Sequence, residues 1–226
     1  MKVNFNCISM KGDILIIDDN HRKAAGQVVE ILVDRILNSI GKFIISVAGE
    51  SGAGKSEIAA SIAEKLKYYN IRTFIFGQDD YFKLPPKTNA RQREKDISWV
   101  GIQEVKLDLL DQHILLAQEG IPIIKKPLVD FNADKIGEEG INLTDFKVLI
   151  VEGTYTSCLK NVNCRIFIDR NKLDTKESRL QRAREKQDEF LDKILSIEHE
   201  IISKHIKLAD IIISKEWEAV KNNGKK

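Results

Sequence analysis

The chain has 226 residues, 42% of them hydrophobic and 31% charged, with a formal charge of +2 at pH 7. That length can bury a substantial core, and one α/β domain is the simplest organisation; so small a charge gives no electrostatic case for nucleic acid or an acidic membrane as partner. Three cysteines (Cys7, Cys158 and Cys164) form no C-x-x-C pair, and no apolar run is long enough to span a bilayer, so the expected setting is cytoplasmic, with reduced thiols.

In chain order, residues 1–40 read as an extension packed on a core formed by residues 41–226. Apolar runs at 3–8 and 14–17 flank Lys11-Gly12-Asp13, the pattern of a β-hairpin. Val28, Val29, Ile31, Leu32, Ile36 and Leu37 then recur at helical spacing, and Ser39-Ile40-Gly41 ends that helix. His21, Arg22 and Lys23 stand near its start, either as nucleotide contacts or as a solvated polar turn.

The strongest signal follows. Phe43, Ile44, Ile45 and Val47 form a β-branched, apolar strand that breaks into Gly49-Glu50-Ser51-Gly52-Ala53-Gly54-Lys55-Ser56. Behind it, Ile58, Ala59, Ile62, Ala63 and Leu66 recur at helical spacing. This is G-x-x-x-x-G-K-[ST] in the strand–loop–helix context that gives the motif its mechanism. Gly49, Gly52 and Gly54 admit positive φ and leave amides open around a phosphate, and the helix start adds its positive end. Lys55 is expected to reach the β- and γ-phosphates and Ser56 to hold Mg²⁺ through its hydroxyl, so the chain is expected to bind a nucleoside triphosphate.

A second strand at 72–76 ends in Gly77-Gln78-Asp79-Asp80-Tyr81-Phe82. Ligands of open α/β sheets bind at the carboxyl ends of strands, so at least one of the two acids is expected in catalysis, the alternative being a turn cap. Residues 84–96, with Pro85-Pro86, Lys87, Arg91, Arg93 and Lys95, read as a mobile loop over an acceptor or as plain solvated surface. A helix is expected over 102–116, short apolar stretches around Ile123-Ile124 and Pro127–Phe131, and a fully buried strand at 146–151 ending in Glu152-Gly153. An acid there suits a group that organises Mg²⁺ through water beside a phosphate loop. After a strand at 165–168, Asp174 opens a helix bearing Arg179, Arg182, Arg184 and Lys186, which reads either as a lid closing over the transferring phosphate or as a solvated helix with Arg–Glu pairs. A long helix from Phe190 to about Lys207 and an apolar strand at 209–213 complete the sheet.

Together these stations resemble the uridine kinase and phosphoribulokinase group of phosphate-loop kinases. The matching residues are Gly49–Ser56, QDDYF at 78–82, P-x-x-D-F at 127–131, VEG at 151–153, the D-x-x-x-S-R-L-x-R-x-R segment at 174–184 and LADIII at 208–213. The resemblance implies a P-loop NTPase fold: a mostly parallel sheet with helices on both faces, here with a small N-terminal β-hairpin/helix addition. It implies transfer of the γ-phosphoryl group of ATP, with Mg²⁺, to a hydroxyl of a small-molecule alcohol, a nucleoside such as uridine among the candidates. Lys55, Asp79, Arg179 and Arg182 would be catalytic, with Asp79 the base for the acceptor hydroxyl. Gly49, Glu50, Ser51, Gly52, Ala53, Gly54, Lys55, Ser56 and Arg184 would hold the nucleotide, and Ser56 and Glu152 the metal. Where uridine kinases carry an aromatic and a histidine, this chain has Val129 and Asp134, so nicotinamide riboside, glycerate or a sugar-like alcohol stays open as acceptor. No nucleic acid or membrane partner is expected, and a homo-oligomer is left open. Asn171-Lys172-Leu173-Asp174 spells the guanine-reading N-K-x-D, which keeps a regulatory GTPase as the rival class, although no D-x-x-G follows the central strand. An ATP-fuelled machine lacks any partner module.

Overall fold

The computed structural model describes residues 15–176, 179–180 and 188–224. A six-stranded sheet runs in the order β2-β5-β1-β6-β7-β8, built from β1 (Phe43–Gly49), β2 (Thr73–Gly77), β5 (Val148–Glu152), β6 (Cys164–Ile168), β7 (Ile211–Ile213) and β8 (Ala219–Lys221). The first five are parallel and β8 is antiparallel. β1 and β5 are buried at every residue, as central strands covered on both faces must be.

Side chains alternate across these strands, so each strand feeds two cores. Ile45, Val47 and Ile150 join α1 (Asp19–Leu37) and α2 (Lys55–Lys67) on one face. Ile44, Ala48, Leu149 and Val151 join α4 (Leu107–Gln118) and Ile202 of α5 (Glu189–Ile202) on the other. α1 lies along α2, and Asp18 caps it by accepting from the His21 amide at 3.0 Å. Most of the expected N-terminal hairpin, residues 1–14, lies outside the described residues. Leu15 to Asp18 carries no strand, and Leu15 and Ile17 pack on the first core.

Three departures from the sequence reading fall on one side of the molecule. Residues 84–96 are not a loop: α3 (Pro86–Lys95) occupies them, with Pro86 at its first position, where the missing N–H does no harm. The stretch around Pro127 is one arm of a separate antiparallel hairpin, β3 (Ile123–Asp130) with β4 (Lys135–Asn142). Its four-residue tip ends at Asp134, at a φ of 51°. The helix from Phe190 stops at Ile202 and continues only as the 3₁₀ turn Ser203–Leu208. At the far edge, β8 extends the sheet beyond the strand expected to close it.

Candidate active site

The register of the central strands sets the site. Glu152, the last residue of β5, lies opposite Val47 of β1 and Gly77 of β2. The loop after β1, the Glu152 carboxylate and the Gln78–Tyr81 turn after β2 therefore stand side by side along the carboxyl edge.

The loop after β1 takes the conformation that its glycines permit. Gly52 and Gly54 have φ of 78° and 94°, and Gly54 is the left-handed cap from which α2 starts. Lys55 Nζ donates to the Glu50 carbonyl at 2.9 Å, and Ser56 Oγ donates to Glu152 Oε2 at 3.2 Å. A hydroxyl and a carboxylate so paired form an oxygen donor set suited to a hard divalent cation. The Glu50 side chain turns away from the loop and pairs with His199 Nδ1 of α5 at 2.5 Å. Arg179 lies against the loop, since a Cβ on Gly52 would come within 2.8 Å of its Cγ. Its guanidinium donates to the Thr175 hydroxyl and, at 2.9 Å, to the Lys172 carbonyl. Arg182 and Arg184 lie outside the described residues.

On the neighbouring strand end, the two adjacent acids part company. Asp80 is buried, accepting from Lys126 Nζ at 2.6 Å and from the Val129 amide at 3.0 Å. Asp79 is half-buried. Gln78 Oε1 accepts from the Tyr155 amide at 2.7 Å. Gly153 lies so close behind Gln78 that a Cβ there would be 2.2 Å from the glutamine's own Cβ. Only glycine lets the ends of β2 and β5 converge in this way. Val129 is fully buried in β3, and both Asp134 oxygens are occupied by α3, so neither side chain is presented to an acceptor. The N-K-x-D letters close their own turn. Asp174 Oδ2 accepts from the Asn171 amide at 2.9 Å and pairs with Lys215 at 3.1 Å, while Asn171 Oδ1 accepts from the Leu173 amide at 2.9 Å.

Two rings frame the loop: His21, for which the sequence left a nucleotide contact or a solvated turn open, and Trp217, which it had not placed. A Cβ on Gly54 would meet His21 Nε2 and Trp217 Cη2, each at 2.9 Å. The rings meet edge to face at 4.4 Å, and Arg170 lies over the indole at 4.5 Å. His21 is thus neither solvated nor in an open turn; burial pushes its pKa down, against the pull of Asp18 and Glu57. A lone tryptophan in a polar C-terminal segment was the available signal. Among the described residues no cluster of His, Cys, Asp and Glu forms a metal site by itself, and no helix is long and apolar enough to cross a membrane.

The model of the phosphoribulokinase / uridine kinase family matches residues 44–213. A bifunctional alpha-galactosidase/sucrose kinase from Mediterraneibacter gnavus is 22% identical over 193 residues, 79% of this chain and 21% of that protein. A uridine kinase from Bacillus pumilus (strain SAFR-032) is 31% identical over 115 residues, 50% of this chain and 51% of that one. The chain thus spans about a fifth of the first relative and about half of the second. Phosphoribulokinase from Rhodobacter spheroides shares the fold with a TM-score of 0.60 at 13% identity, covering 78% of this chain and 71% of that structure. With three quarters of its length under that family model and a phosphate loop, an acidic strand end and a glutamate in register, the chain belongs to the phosphoribulokinase / uridine kinase family of kinases.

Proposed function

We propose that the protein transfers the γ-phosphoryl group of ATP to a hydroxyl of a small-molecule alcohol. The observation that carries this reading is the row along the carboxyl edge, with the phosphate loop on β1, Glu152 on β5 and Asp79 beyond β2. The amides of the 49–56 loop and Lys55 bind the phosphate charge. Ser56 and Glu152 would hold Mg²⁺, which when bound neutralises phosphate oxygens. Asp79 orients the acceptor hydroxyl. As the acceptor oxygen bonds to the γ-phosphorus, the bond from that phosphorus to the β–γ bridging oxygen breaks, ADP leaves and the hydroxyl proton passes to the Asp79 carboxylate. Arg179, beside Gly52, stabilises the charge developing on the transferred group.

Uridine is the first acceptor to test, because a uridine kinase relative is 31% identical over half of this chain. A sugar-like polyol is the second reading, favoured by one observation: Val129 and Asp134 are committed to the hairpin and to α3. Coupled ADP release from MgATP, screened over nucleosides, sucrose, fructose, glycerate and pantothenate, decides between them. No acceptor raising release above the water background would remove the kinase reading.

A further inference from the structure

Of the four residues in the Gln78–Tyr81 turn, three are buried and Asp79 is not. Each buried neighbour is anchored by a partner distant in sequence: Gln78 by the Tyr155 amide, Asp80 by Lys126 and the Val129 amide, and Tyr81 by His113 Nδ1 at 2.9 Å. Two of the bonds that hold Asp80 come from one strand, β3. Lys126 is itself almost wholly buried and pairs also with Glu139 of β4 at 2.8 Å.

The same hairpin holds α3 by its tip. Asp134 accepts from the Lys87 amide at 2.7 Å and from the Thr88 hydroxyl at 2.8 Å, and the Asn132 carbonyl accepts from Lys87 Nζ at 2.9 Å. α3 returns to the turn through Glu104. That buried carboxylate accepts from Asn89 Nδ2 and Arg93 Nε, both at 2.6 Å. The Glu104 carbonyl accepts from the Lys83 amide, and the Tyr81 carbonyl from the Lys106 amide, each at 2.8 Å. Turn, hairpin and helix form a closed circuit of hydrogen bonds around Asp79.

We propose that the β3–β4 hairpin is the positioning element of the acceptor side, with Lys126 the positioning residue that, through Asp80, fixes the turn presenting Asp79. The inference rests on the catalytic reading of Asp79 for its effect on turnover, but not for its effect on the turn. Both Asp80 oxygens are engaged in holding the strand end. A carboxylate that must meet a hydroxyl within hydrogen-bond reach loses rate when its backbone wanders by about 1 Å.

Hydrogen exchange reads the turn without any acceptor. In Lys126→Met, the Lys83 and Lys106 amides should exchange about tenfold faster or more, while β1 and the 49–56 loop keep wild-type protection. Turnover is followed as ADP release with a mixture of uridine, fructose, sucrose and glycerate. It should fall at least about tenfold in kcat with KM for ATP unchanged, and Lys126→Arg should recover part of it. Because Lys126→Met leaves a buried carboxylate unpaired and can fail to fold, Asp80→Asn/Lys126→Met is made beside it. That double variant removes both charges and should regain the wild-type melting temperature while the Lys83 and Lys106 amides stay exposed to exchange. Unchanged protection in Lys126→Met, or a double variant that regains stability and protection together, would overturn the proposal. An Asp79→Asn chain of full activity would remove the catalytic reading and leave the exchange result standing by itself.

Discussion

The two halves of the cleft are built by different means. On the nucleotide side the backbone itself is set locally: eight consecutive residues, 49–56, form the loop and Lys55 reaches a carbonyl five residues back, while Ser56 and Glu50 tie that loop to Glu152 and His199, 96 and 149 residues away. On the acceptor side the holds are long. Asp80 and Lys126 are 46 residues apart, Asp134 and Lys87 are 47, and Arg93 and Glu198 are 105. The first half is a backbone device shaped by its glycines, with Lys55 and Ser56 as the side chains it carries. The second is a set of side-chain pairs that join distant parts of the chain. That division suits a family whose relatives here are a uridine kinase and a sucrose kinase.

The contrast can be broken from either side. The largest effect is expected from Lys55→Ala, which should remove measurable ADP release, since the loop would lose the lysine proposed for the β- and γ-phosphates; a variant retaining most of the wild-type rate would end the phosphate-loop assignment. Asp79→Asn should lower kcat by roughly 10²–10⁴ with ATP affinity by calorimetry unchanged, and a matching loss of affinity would move Asp79 to the nucleotide side. Glu104→Ala tests the acceptor side as a framework. It leaves Arg93 buried with its main partner gone, worth about 3–5 kcal/mol, and at about 2–4 °C per kcal/mol the melting temperature should drop roughly 6–20 °C. A thermal scan showing no drop would mean that α3 is held by something else.

The smallest effect concerns the cap of α3. Desolvation works to raise the Asp134 pKa, but the Thr88 hydroxyl and the Lys87 and Thr88 amides outweigh it, so the carboxyl sits below its usual range. A depressed native pKa contributes stability that is complete above the ordinary aspartate value and fades as the pH falls through the lower native one. Protection of the Lys87 and Thr88 amides should therefore weaken as the pH falls below the ordinary aspartate value of about 4 and through the lower native one, and Asp134→Asn should flatten that dependence. Equal pH dependence in both chains would show that the cap contributes nothing.

What was legible in the sequence follows the same line. β1, α2 and β5 announce themselves because apolar periodicity and glycine placement are local signals, and the family resemblance carried by the 49–56, 78–82 and 151–153 segments agrees with the family match. β4 was missed because Lys-Ile-Gly-Glu-Glu-Gly-Ile-Asn offers two glycines, two glutamates and little to bury. α3 was missed because it has no apolar face at all; only Asn89 is buried, and side-chain bonds to Glu104 and Asp134 hold it. In the site, Asp80 is set apart from Asp79 by Lys126 and the Val129 amide, both on β3, and no pattern within QDDYF identifies either partner. Val129 and Asp134 were noted as departures from an acceptor motif, yet their packing roles needed the hairpin to become visible.

The ring pair at Gly54 also sets an order of events in folding. His21 belongs to the start of α1, whereas Trp217 sits between β7 and β8, and the neighbouring pair Lys23 and Glu218 joins points 195 residues apart. A contact that closes so long a loop is entropically late, because shorter closures among β1, α2, β2 and β5 gain their burial first. The phosphate loop should therefore complete its surroundings only after the rest of the sheet is in place, and a chain still emerging from the ribosome would hold nucleotide poorly until its last strands arrive. In a Trp99→Phe background, refolding followed at Trp217 should lag the far-ultraviolet signal of helix and strand; coincident phases would show that both ends of the chain join the sheet in a single step.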